Sequence, residues 1–113
     1  MKFALVEVYA SADWKYRPTQ SVSIEMVGTK KECEEERDRR FDKSVRMSLA
    51  DLIEGEEREE LDIDNLPLKD VISRLRKFDE FKWENGNSVI FGGGASGEPS
   101  HTGWHIVEIK NEE

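Results

Sequence analysis

Val22-Ser23-Ile24-Glu25-Met26-Val27-Gly28, followed directly by Thr29-Lys30-Lys31-Glu32, is where the chain changes its period. Up to Gly28, the apolar residues Val22, Ile24 and Met26 alternate with polar ones, the two-residue repeat of a half-buried strand. Thr29 then precedes Glu32 by three positions. In that capping-box spacing the threonine oxygen accepts an amide hydrogen of the first helical turn, and the glutamate reaches back to the cap. A strand therefore ends at Gly28 and a helix starts after Thr29.

Toward the N-terminus, Phe3-Ala4-Leu5-Val6-Glu7-Val8-Tyr9 has the β-branched and aromatic content of another strand. Phe3, Leu5, Glu7 and Tyr9 share one side of it, and Ala4, Val6 and Val8 the other, so both faces are apolar enough for burial near its middle. Ser11 to Gln20 breaks the pattern and joins the two strands as a hairpin.

Toward the C-terminus, Cys33, Arg37, Phe41 and Val45 form a sparse inner stripe on the first helix, while Glu35/Arg39 and Glu36/Arg40 fall at i,i+4 with the acid first. Ser48-Leu49-Ala50-Asp51 reads as the start of a shorter helix that Gly55 weakens. Asn65-Leu66-Pro67 opens a third, whose Leu68, Val71, Ile72, Leu75 and Phe78 repeat at helical spacing and carry it to about Trp83. Asn85-Gly86 marks a turn, Ser88 to Phe91 a short strand, and Trp104 to Ile109 a final alternating one. The order β-β-α-α-β-β over residues 1–113 describes a single α+β domain, an antiparallel sheet of about four strands with two principal helices and a short third on one face. A sheet covered on one face leaves apolar area over, so a homodimer or higher homo-oligomer through the open face or an edge strand is expected.

Charge narrows the partners. The net charge is -8, and Glu54, Glu56, Glu57, Glu59, Glu60, Asp62 and Asp64 face only Arg58 within their own stretch. Phosphate-backbone binding draws on clustered Lys and Arg, so direct nucleic-acid binding is not expected. A single cysteine, Cys33, excludes an internal disulfide framework and suits a reducing cytoplasm. No run approaches the roughly 18 apolar residues of a membrane span, and Glu7 interrupts any signal-like apolar start.

Function is sought in two loops. If the two main helices run antiparallel over one face, the third strand starts at the same end of the sheet as the first, and Ser11–Gln20 and the polar, glycine-rich Gly92–Gly103 share one sheet edge. Trp14, Lys15, Tyr16 and Arg17 combine aromatic rings with cations, the composition that stacks on and neutralises a nucleotide. Gly93, Gly94, Ser96 and His101 supply adaptable polar contacts, with the glycines able to curl into an anion nest. Gly92-Gly93-Gly94-Ala95-Ser96-Gly97 also matches the dinucleotide pattern Gly-x-Gly-x-x-Gly, but no helix follows to receive a pyrophosphate. No metal site or cofactor is expected, since His101 and His105 are the only histidines and lie in a loop and a strand rather than on one helical turn.

The favoured expectation is a small cytoplasmic, non-enzymatic binding protein that captures a small anionic, nucleotide-like ligand or occupies a partner, as compact acidic inhibitors made by phages and mobile elements do. The first alternative is a protein inhibitor or nucleic-acid mimic that meets a basic surface through Glu56, Glu57, Glu59, Glu60, Asp62 and Asp64. A small hydrolase using His101 or His105 is the second.

Overall fold

The computed structural model describes residues 1–11, 19–53, 60–78, 80–93 and 100–110. Strands β1 (Lys2–Ser11) and β2 (Thr19–Gly28) precede helix α1 (Lys30–Leu52), a 3-10 turn (Ile63–Asn65) and helix α2 (Leu68–Arg76). Strands β3 (Glu80–Asn85), β4 (Ser88–Gly93) and β5 (Ser100–Ile109) close the chain. All strand pairs are antiparallel, in the order β2-β1-β5-β4-β3, so the architecture is the expected α+β class with five strands instead of four.

The extra strand is β3. Helical spacing from Leu68 to Phe78 carries the pattern only as far as Arg76, where α2 ends, and Phe78 then donates its amide to Leu75 in a closing turn. Beyond it, Glu80 to Asn85 pairs with β4 through a two-residue turn, Gly86-Asn87. Gly86 has φ +55°, a left-handed conformation that costs a glycine little. Arg37 of α1 reaches across to the Gly86 carbonyl at 3.3 Å and holds the hairpin against the helix.

The first helix is longer than its sequence punctuation suggests. Ser48 opens no new helix, because Leu49 extends the Phe41 and Val45 stripe by one more turn, and packing overrides the local cap signal. The capping box forms as read, with the Glu32 amide donating to Thr29 Oγ1 at 3.1 Å and the Thr29 amide to Glu32 Oε1 at 3.0 Å. The inner stripe also holds: Cys33, Phe41, Val45 and Leu49 are buried, and Arg37 lays its stem beside them. Of the expected surface pairs, Arg40 joins Glu36, but Arg39 also turns to Glu36 instead of Glu35.

The core lies on the helix side of the sheet, where α1 and α2 meet Leu5, Val89, Phe91, Trp104 and Ile106. Phe41 sits edge-on to Phe91 and Trp104, with ring centroids 6.2 and 6.1 Å away. On β1 the consecutive residues Ala4 and Leu5 are both buried: Leu5 belongs to the core beneath the helices, and the small Ala4, on the opposite face, lies between Val27 and Val107 of the neighbouring strands.

Candidate functional site

The end of the sheet at which β1 finishes is built by three strands in register. Ser11 of β1 pairs with Ser100 of β5, and Ser100 pairs with Gly93 of β4. The connections 12–18 and 94–99 both leave from these paired ends, so the two expected loops start from one sheet edge. Trp14, Lys15, Tyr16, Arg17, Gly94 and Ser96 lie outside the described residues. Gly93 and His101 lie within them, offset by one position across the β4–β5 ladder.

Both belong to strands and not to a loop. A Cβ added at Gly92 would meet the Ser100 carbonyl oxygen at 2.2 Å and His101 Cβ at 2.6 Å. Glycine at 92 therefore lets two strands approach closely, and neither Gly92 nor Gly93 has the positive φ of an anion nest. His101 is exposed beside Ala10 and Gly92. His105 faces Ser88, with Nδ1 2.8 Å from its hydroxyl, and among the described residues no carboxylate orients the ring.

Over the same sheet end, α1 and the strands border an open cleft of about 510 Å³. Its walls carry Arg39, Arg40 and Lys43 from α1 opposite Glu7, Tyr9 and Thr102, with Trp104 below. An adjoining hollow of about 210 Å³ shares Tyr9, Ser44 and Thr102 and continues to Ser48, Ser100 and His101. Helical spacing explains the wall: Arg39 and Lys43 are one turn apart, as are Arg40, Ser44 and Ser48, on the flank of the stripe that enters the core.

Charge around this cleft is partly spoken for. Arg40 reaches Glu25 of β2 at 3.0 Å and Glu36 at 2.9 Å. The Ser23 hydroxyl, and then Arg40, hold the Glu25 carboxyl below its ordinary value. The hydrogen bond from Arg39 does the same for Glu36 and raises Arg39 in return. Glu7 accepts the buried indole N–H of Trp104 at 2.8 Å. Lys43 has no ion-pair partner among the described residues. Intrahelical ion pairing does not reveal this basic flank; its signal in the sequence is Arg39, Arg40 and Lys43 within little more than one turn, beside the apolar stripe.

The acidic alternative is described only in part. Glu56, Glu57 and Glu59 lie outside the described residues, while Glu60, Asp62 and Asp64 are exposed. Asn65 Nδ2 donates to Asp62, and Arg46 of α1 holds the turn by its bond to the Ile63 carbonyl. Cys33 is fully buried, and burial pushes its thiol up, with the charge of Glu32 acting in the same direction. That environment suits a core residue, not a nucleophile. Among the described residues no group of three potential metal ligands converges, and no helix is long and apolar enough to cross a membrane. Compared with protein-family models, curated proteins and solved structures, the chain matches none.

Proposed function

We propose that this chain is a non-enzymatic binding protein that captures a small anionic ligand in the cleft between α1 and the end of the sheet. The observation that carries this reading is Lys43, a cation without an ion-pair partner among the described residues, on a wall shared with Arg39 and Arg40 in a chain of net charge -8. An acidic protein that keeps a cation unspent beside a cavity has a place for a negative group to be neutralised. Hydroxyls of Ser44 and Thr102 line the same space and can donate to phosphate or carboxylate oxygens. Tyr9, 44% exposed, offers a ring for stacking a base. Trp14, Lys15, Tyr16 and Arg17 follow Ser11 closely enough in sequence to add a second ring and further charge, since an extended chain spans roughly 3.5 Å per residue.

Calorimetric titration with AMP, ATP and inorganic phosphate tests the proposal. A charge-assisted contact contributes about 1.5–3 kcal/mol, so Lys43→Ala should weaken nucleotide binding by roughly tenfold to a hundredfold. Tyr9→Ala should weaken nucleotides but leave phosphate alone unchanged. Heat from none of the three, or equal affinity in Lys43→Ala, removes the cleft as the site.

The exposed Glu60, Asp62 and Asp64 support the acidic-inhibitor reading as the second choice. Binding of a basic protein there would weaken steeply with salt, whereas an enclosed nucleotide would respond less.

A further inference from the structure

The two edges of the sheet are protected unequally. Strand β3 carries Glu80, Lys82 and Glu84 in six residues, the charged decoration that discourages another strand from adding to an edge. Strand β2, at the other edge, has ten residues and one charge, Glu25. That carboxylate is the extra residue of a bulge, since Leu5 pairs with Met26 and Val6 with Ile24, and it is bound to Arg40 of the helix layer. Thr19 to Ile24 is left as a regular, uncharged run, and among the described residues no strand lies outside it.

On the face away from the helices, Val22 and Ile24 are 63% and 68% exposed. By register they continue into Val8 and Val6 of β1, and Val27 flanks Ala4 opposite Val107 of β5. Elsewhere a second copy of a chain with net charge -8 would be repelled. Along β2 itself the balance differs: from Thr19 to Gly28 the only charged residue is Glu25, and Arg40 neutralises it.

We infer that β2 is a self-association edge, at which two copies pair antiparallel about a two-fold axis and join their sheets into one of ten strands. Antiparallel pairing of a strand with itself is self-complementary, so each outward N–H of one copy meets a C=O of the other. Val22 and Ile24, which have Val8 and Val6 beside them on one side only, then gain cross-strand neighbours on the other. Because the strand carries no unpaired charge, a second copy of this acidic chain can meet it there without the repulsion that opposes contact elsewhere.

Sedimentation equilibrium on the full chain tests this inference independently of any ligand. Wild type should have twice the 13.1 kDa chain mass, and Val22→Lys should return it to one chain with an unchanged circular dichroism spectrum. Ser21→Lys, on the other side of the same strand, should do the same and serves if Val22→Lys does not fold. Val107→Lys, two strands in on the open face, should remain dimeric. A monomeric wild type, a dimer that survives both β2 substitutions, or one dissociated by Val107→Lys, as stacking of the open faces requires, would overturn it.

Discussion

Single residues show how differently glycines of one chain are constrained. At Gly92 the obstacle is backbone and Cβ of the neighbouring strand, which cannot turn aside. Gly92→Ala should therefore cost about 2–3 kcal/mol in denaturant unfolding, as overpacking does. At Gly103 an added Cβ meets Nε2 of His105 at 2.7 Å, the movable end of a side chain, so Gly103→Ala should cost less than about 1 kcal/mol. Gly86 has open space around it but φ +55°, and alanine there should cost about 1 kcal/mol through backbone strain alone. An equal loss at all three positions would contradict these causes. From sequence, the glycines at 92 and 93 read as loop because glycine marks flexibility and close approach alike; only the partner strand tells them apart. The pairing of Glu7 with Trp104 was equally hidden, since the two residues are brought together by the β1–β5 ladder.

At the level of elements, α1 is the best-recorded part of the fold. Its cap and its four-residue stripe are local and strong, so both were legible. Its full length was not, because continuation past Ser48 depends on where Leu49 packs. Strand β3 was hidden for a related reason: Phe78 keeps helical spacing with Leu75 yet follows the helix, and the alternation of Phe81 and Trp83 is too short to compete until β4 pairs with it. The carboxylates Glu25, Glu32 and Glu36, on β2 and α1, are all held below their ordinary value of 4.5. Their contribution to stability is complete above that value and is lost as pH falls through the lowered native values. The melting temperature should thus be flat near neutrality and fall below about pH 4.5. Glu36→Gln should melt lower at pH 7 and show a smaller further drop on acidification. An identical acid drop in that variant would show that the paired carboxylates do not govern it.

For the whole molecule, the placement of charge separates what it repels from what it admits. Acidic groups dominate overall, while Arg39, Arg40 and Lys43 gather on the α1 wall over the sheet end. The proposed ligand site uses that wall, and the inferred self-association uses the uncharged β2 edge of the sheet. The two connections leave from one sheet end by a route that the expected order of elements lacked, since the strand after the helices, β3, starts at that end and supplies a further reversal before β4; the basic wall was hidden as well, because it requires α1 to lie across Tyr9 and Thr102. Native mass spectrometry of the protein purified gently from cells, beside the same sample denatured and beside Lys43→Glu, addresses ligand capture most directly. Capture predicts a native mass exceeding a whole multiple of the 13.1 kDa chain by a few hundred daltons per copy, with the excess absent after denaturation and in Lys43→Glu. An excess that persists in Lys43→Glu, or a bare multiple of the chain in a wild type that also binds no added nucleotide, would contradict it.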